Sequence, residues 1–392
     1  MESTQHEVSV RPGGAGALPL RSEDPALSAR VDRLLVTARS GLAQAYVPAE
    51  QHFAHTVRVA ADGAAEARPE GRNLRYAAIS CLGLARSEVA QQEAVLSGAR
   101  ATDVVARTAA RAQSSADPGA VALAAWAVAE VSHQHPTRLL ARLDQMIGEG
   151  SPLSTVELAW AITAMTAVRL EGVHSLFEIA VKRLLAAQGG GHGIFPHYAP
   201  ADSQAPWRAH VGSFADQVYP VQALARAHAV TGDSELLQAA NRTAAQICEL
   251  QGPAGQWWWH YDTRTGGVVE RYPVYSVHQH AMAPMVLADL TQAGGDDHSR
   301  EVAAGLGWLH NPPETAEQMI SERFGLIWRK VGRREPRKAA RAARAASTWV
   351  APHRGTPGLD RLLPPTVVDH ECRPYELGWL LYTWEPLRGH DD

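Results

Sequence analysis

The stretch Ser213–Asp262, SFADQVYPVQALARAHAVTGDSELLQAANRTAAQICELQGPAGQWWWHYD, decides the fold. Apolar residues recur three and four apart over 214–230 and again over 233–250, the spacing that lines one face of a helix. Only Thr231-Gly232-Asp233 separates them, so the pair reads as an antiparallel helical hairpin. A Gly-rich turn, Gln251-Gly252-Pro253-Ala254-Gly255, then leads into three tryptophans and a His-Tyr pair. The pattern has an earlier copy. Gln188, Gly189, His197 and Tyr198 in LLAAQGGGHGIFPHY return 63 residues later as Gln251, Gly252, His260 and Tyr261. Each copy closes a helix, turns through glycines, passes aromatic residues and enters the next helix through His-Tyr.

Outward from this hairpin the chain reads as helical throughout. Similar apolar spacing occurs over 27–46, 73–85, 117–133, 153–169, 173–187, 276–293 and 298–310, and no stretch shows a convincing period of two. Asp24 and Pro25 open the first helix, a cap followed by a residue whose missing N–H costs nothing there. In Ala120–Val131, AVALAAWAVAEV, apolar residues run nearly all the way round, which predicts a helix buried on most sides. Roughly a dozen helices in tandem hairpins point to an all-α fold, an α/α toroid whose inner helices enclose a funnel with loops at its mouth. A looser superhelix is the structural alternative. The expected division is a flexible arm over 1–23 and one toroid domain over 24–392.

The composition narrows the function. The chain has 392 residues, 45% hydrophobic and 20% charged, with 37 Lys and Arg against 41 Asp and Glu, a net charge of -4. That balance disfavours general nucleic-acid binding, and no segment has the length and apolarity of a membrane span. Three scattered cysteines form no CxxC, so a reducing compartment is expected. The start MESTQHEVSVRPGGAGALPLRSEDP has no apolar run of the kind a secretory signal needs, which places the protein in the cytoplasm. No Walker, dinucleotide-fingerprint, HExxH or GxSxG pattern is present, and neither a cofactor nor a metal site is expected.

Ser213–Asp262 with the following Glu270–Met282, about 70 of the 392 residues, resembles the six-hairpin carbohydrate-active enzymes. The likeness is to the unsaturated uronyl hydrolases and, more loosely, the glucuronyl epimerases. It rests on Asp216 and Tyr219 opening a helix, Leu224-Ala225-Arg226, Thr231-Gly232-Asp233, Gln251, Gly255 and Trp257, then His280-Ala281-Met282. The resemblance implies a six-hairpin toroid acting on an acidic glycan or oligosaccharide by acid/base chemistry, as hydrolase, lyase or epimerase. Gln251-x-x-x-Gly255-x-Trp257 is also similar to the Gln-Trp repeat of terpenoid cyclases, which share the toroid. Their Asp-x-Asp-Asp acid cluster is missing, however: Asp296-Asp297 lacks the first aspartate. The alternatives are therefore a terpenoid cyclase-like enzyme for a polyprenyl substrate and a non-catalytic toroid that binds a glycan or protein.

Asp216 is the first candidate acid. Desolvation by aromatic walls would raise its pKa, whereas a first-turn aspartate also serves as a helix cap. Glu270–His280 crowds Tyr272, Tyr275, His278 and His280 ahead of an apolar helix, candidates to position substrate or move a proton. On a helix His278 and His280 diverge by about 200°, so they do not pair on one metal. Trp258, Trp259 and His260 form a candidate stacking platform, with Trp257 assigned to the core. Arg271 and Arg373 are candidate clamps for a substrate carboxylate. His197 and Arg208, with His192 and His210, belong to the long loop 189–212, a candidate mouth wall. Near the C-terminus Glu371 or Glu376 supplies a second carboxylate, beside Tyr375. The basic run Arg329–Arg344 reads as a solvated helix face, with peripheral contact to an anionic surface as the functional alternative.

Overall fold

The computed structural model describes residues 24–59, 66–148, 152–335, 338–352 and 358–386. The arm expected over 1–23 and Arg337 of the basic run lie outside them. In chain order the helices are α1 (Pro25–Ala45), α2 (Leu74–Leu84), α3 (Val89–Val95), α4 (Ala101–Ala112), α5 (Pro118–Val131), α6 (Thr137–Gly148), α7 (Thr155–Ala167) and α8 (His174–Ala187). There follow α9 (Ala215–Thr231), α10 (Ser234–Glu249), α11 (Ala283–Gln292), α12 (Ser299–Trp308), α13 (Ala339–Val350), α14 (Leu359–Leu362) and α15 (Pro374–Trp384). Asp24 caps α1 through bonds from the amides of Ala26 at 2.8 Å and Leu27 at 3.1 Å. One π-helical turn, His278–Met282, runs straight into α11.

Two layers follow from two kinds of helix. Helix α5 is buried without a break from Gly119 to Ala127 because its sequence is apolar on nearly every side, and α9 is buried from Asp216 to Ala227 because its polar residues Asp216, Gln217, Gln222 and Arg226 all find hydrogen-bond partners inside the protein. Helix α10 buries only Leu236, Ala239, Ala240, Thr243, Ala244, Ile247 and Cys248, one stripe with its opposite face in water. Among the described residues α2, α5, α7, α9, α11 and α15 pack each on the next, and α15 returns to α2, so the inner helices close a ring. Around them α1 lies on α15, α4 and α6 on α5, α8 on α7, α10 on α9, and α12 on the π turn and α11. The result is an α/α toroid. Helices α4 and α6 supply outer members that the expected set lacks.

The ring closes by backbone contact. A Cβ added at Gly83 of α2 would lie 2.8 Å from the Gly378 carbonyl carbon of α15, and one at Gly378 would lie 2.7 Å from the Ile79 carbonyl oxygen. Neither neighbour is a flexible side chain that can move aside. Gly83→Ala is therefore expected to cost about 1–3 kcal/mol through overpacking. A urea titration should show a lower midpoint at unchanged slope; parental stability would mean that α2 and α15 do not touch at this point.

The short strands correct the expectation of none. Residues 153–154 pair with 198–199, 211–213 with 260–262, 274–275 with 330–332, and 371–372 with 56–59, all antiparallel. In each pair one member immediately precedes an inner helix or the π turn, and the other follows an outer helix. The ladders thus tie together the N-terminal ends of the inner helices. Strands of two to four residues are too short to display an alternating pattern.

Candidate active site

The glutamine repeat turns out to be a staple for this architecture. Gln188 Nε2 donates to the Ala239 carbonyl of α10 at 2.9 Å and to Gly193 of its own turn at 3.3 Å. Gln251 Nε2 does the same one hairpin later, to Glu301 of α12 at 2.8 Å and Gly255 at 3.1 Å. Each amide ties the end of one outer helix to the next, and the His-Tyr pair after it enters a rim strand. Trp257 is fully buried against Phe214, 5.7 Å between rings, in the core role expected of it.

The rim surrounds a central cavity of about 390 Å³. Its walls come from the starts of four inner helices and from the π turn: Asn73 and Tyr76 around α2, Trp160 of α7, Tyr219 of α9, His278 and Met282 of the turn, and Tyr375 of α15. Trp259, Tyr275 and two arginines, Arg75 and Arg329, also line it, with the apolar Ile79, Val156 and Ala215 between them. Helix N-termini carry partial positive charge, so their convergence favours an anionic ligand even before the guanidiniums are counted. No carboxylate is among the described residues that line it. The acids stand one layer back and hold the arginines in place.

Arg75 donates through Nε to Asp117 at 2.8 Å and through Nη2 to Glu157 at 2.6 Å, and its guanidinium lies 5.4 Å from the Trp160 ring. Burial opposes its charge, but those two carboxylates more than offset it and raise its pKa. Arg329 lies 5.2 Å from the Tyr275 ring, with Nη1 3.3 Å from Glu371 and Nε 3.7 Å from Glu376. Glu371 also pairs with Arg58 and Arg373, so it is a hub of ion pairs and not a free acid facing the cavity. Glu376 differs from it. Burial pushes its pKa up to about 7 against the pull of Arg329 and Arg373.

The π turn separates the two histidines. His278 faces the cavity, stacked on Trp259 at 5.9 Å and 12° and packed 5.0 Å from Tyr275, and burial lowers its pKa to about 3, so the ring is neutral. His280 points into the protein interior, fully buried, and burial takes it to about 3 as well. It does not reach the cavity, because a wide turn sends the second residue onward to the far side of the helix.

Asp216 is placed differently from the expected desolvated acid. It is 0% exposed and does not line the cavity; it accepts from Ser213 N and Oγ, both at 2.7 Å, and from His197 Nδ1 at 3.1 Å. These bonds are what a helix cap would make, except that one donor is an imidazole whose side chain is 45% exposed. Facing a carboxylate, Nδ1 carries the proton, which leaves Nε2 directed away from Asp216. Burial pulls the His197 pKa down, but the bond and charge of Asp216 outweigh it and raise the value. His197 sits at the rim: its carbonyl accepts from Thr155 N at 2.9 Å, next to Val156 of the cavity wall.

The remaining candidates do not all share this place. Trp258, Arg271 and Tyr272 line a separate hollow of about 590 Å³. His260 is buried in the rim ladder opposite Ser213, and burial lowers its pKa well below the usual value. Arg208 is exposed beside Trp207, 5.6 Å from its ring. Arg373 donates to Tyr76 Oη at 2.9 Å, behind the wall formed by Tyr76 and Tyr375, whose rings lie 4.5 Å apart. The basic run is a solvated helix only in part: Arg334 and Lys338 are exposed and Arg341 and Arg344 stand on α13, but several charges of the run are paired. Lys330 is in a strand and pairs with Asp369 at 2.8 Å, Arg333 pairs with Glu270 at 2.8 Å, and Arg341 pairs with Glu335 at 3.2 Å. These partners take up part of the charge that a peripheral anionic surface would need, that of Lys330, Arg333 and Arg341. Asn73, Tyr76, Arg75 and Trp160 escape sequence reading; the one usable signal is position, within the first two turns of inner helices.

The ring of helices, rim ladders and central cavity define an α/α toroid of six-hairpin type, the fold shared by several glycosidases. Among solved structures the chain is similar to an unsaturated glucuronyl hydrolase specific for heparin, at 12% identity and a TM-score of 0.55 over 90% of this chain and 95% of that one. It is also similar to a possible GH105 member from Salmonella enterica, at 12% identity and TM-score 0.53 over 97% and 95%. A possible GH105 member from Klebsiella pneumoniae gives 11% identity and TM-score 0.54 over 91% and 92%. At such identity the likeness establishes the fold. No family model and no curated protein matches the chain. No helix among the described residues is long and apolar enough to cross a membrane.

Proposed function

We propose that the chain is a carbohydrate-active enzyme that acts on a uronic-acid-containing glycan by general acid/base chemistry at the central cavity. The observation that carries this reading is the lining: aromatic faces for sugar rings together with two braced guanidiniums for a carboxylate, where inner-helix N-termini meet. Trp259 and Tyr275 form the stacking platform, and Arg329 and Arg75 the clamp. His197 is the proton-transfer group, and Asp216 holds its tautomer and orientation, the division of labour of a carboxylate–imidazole pair. Hydrolysis, elimination and epimerisation use the same groups and are told apart by their products: water added, an unsaturated uronate, or an isomer of unchanged mass. Free, buried Cys81, Cys248 and Cys372 support the cytoplasm as the site of action.

The test is a substrate panel read with Arg329→Gln, which keeps a hydrogen-bonding group and removes the charge. Loss of a charge-assisted bond is worth about 1.5–3 kcal/mol, so kcat/KM on uronic-acid oligosaccharides is expected to fall roughly ten- to 150-fold. Turnover of carboxyl-reduced counterparts is expected to be low in both proteins and equal. The same aromatic walls suit a polyprenyl chain, so prenyl diphosphates form the second arm. Turnover there, with none on the uronic acids, would overturn the proposal.

A further inference from the structure

The three tryptophans of the repeat serve three different places. Trp257 is in the core, Trp259 lines the central cavity, and Trp258 lines the second hollow of about 590 Å³. That volume is ample for a sugar unit. One wall is aromatic: the Trp258 and Tyr272 rings meet edge to face at 6.0 Å, and the Arg271 guanidinium lies 5.2 Å from the Trp258 ring. Arg271 is exposed, and no described carboxylate lies within ion-pair distance of it, unlike Arg75 and Arg329 with their braces. The other wall is polar and fixed. Gln256 donates to Glu314 Oε1 at 2.9 Å, and the Trp308 indole donates to Glu314 Oε2 at 2.9 Å, so this carboxylate is immobile and ready to accept from hydroxyls. The turn beneath is built for closeness: a Cβ at Gly252 would run into the Trp258 ring, lying 2.8 Å even from its Cη2.

Aromatic edge, exposed guanidinium and fixed hydroxyl acceptor make up the chemistry that recognises an acidic sugar unit. From this juxtaposition we propose that the hollow is a second saccharide subsite, separate from the central cavity. It binds a uronic-acid unit with the carboxylate on Arg271, the ring against Tyr272 and the uncovered edge of Trp258, and hydroxyls toward Glu314. The inference rests on the glycan reading of the central cavity for its ligand class, and not on any chemistry there.

Calorimetric titration of the full chain with oligogalacturonates of two to six units, alongside indole fluorescence, tests it. Two equivalents are expected per chain. Arg271→Gln is expected to weaken one of them about tenfold or more and leave the other unchanged; Trp258→Phe, which preserves packing, should weaken the same one and remove its fluorescence response. Saturation at one equivalent that is indifferent to Arg271 overturns the subsite while the central reading stands. One equivalent lost with Arg271, in a protein that turns over none of the uronic acids, upholds the subsite while the central reading fails.

Discussion

Replacing His197 by alanine is expected to lower turnover of a uronic-acid oligosaccharide by about 10²–10⁴-fold, the share that a positioned general acid or base supplies. The side chain is half exposed, so the substitution leaves no buried gap and the fold should persist. Asp216→Asn is expected to act through His197. The carboxylate raises the imidazole pKa, so its removal should move the limb of the kcat/KM profile that reports His197 to lower pH. The stability sign follows from the same shift. A raised folded pKa contributes stability in full below the unfolded value of about 6.5, and this is lost as pH rises through the folded value. The stability difference between the parent and His197→Ala should therefore be greatest on the acid side and shrink toward alkaline pH. Turnover within a few-fold of the parent would remove His197 from the proton-transfer role.

At the other end of the ring, Arg226→Ala is expected to cost about 3–5 kcal/mol, the loss that follows when one partner of a buried ionic network is deleted. Arg226 donates to Asp289 at 2.8 Å from Nε, to Glu130 at 2.8 Å from Nη1 and to Tyr382 Oη at 2.7 Å from Nη2. Tyr382 in turn donates to Glu130 at 2.7 Å, and Gln222 to Asp289 at 2.9 Å. One guanidinium thereby joins α9 to α5, α11 and α15 near their C-terminal ends, where a cation also complements the helix dipoles. Deleting it removes the charge that balances two acids across the ring. Thermal unfolding is the measurement: at about 2–4 °C per kcal/mol for a large domain, a fall of roughly 6–20 °C is expected. A shift under 2 °C would mean that the network adds no net stability and that apolar packing alone closes the lower ring.

The helices were legible because their cause is local. Spacing of three and four marks an amphipathic outer helix such as α10, and an all-round apolar run such as Ala120–Val131 marks an inner one, whatever the rest of the chain does. The repeat of Gln188 and Gln251 disclosed stacked hairpins for the same reason, since each glutamine reaches only the next outer helix. The rim ladders left no such mark, because two residues have no period.

The site divided along the same line. Tyr275, His278, Trp259 and Tyr375 could be picked out as chemistry-rich residues before inner helices, and they do line the central cavity. Which neighbour each would meet was not encoded nearby. Trp258 and Trp259 are adjacent in sequence yet line different hollows, and Asp216 became a partner of His197, 19 residues away. Asn73, Arg75 and Trp160 joined the cavity only because α2 and α7 belong to one closed ring. Sequence alone determined most of the helices, α4 and α6 excepted, and that they stack as hairpins, for that depends on side chains within a few turns of each other. Tertiary structure decided which polar groups face one another, because ring closure sets their distances and burial sets their charge.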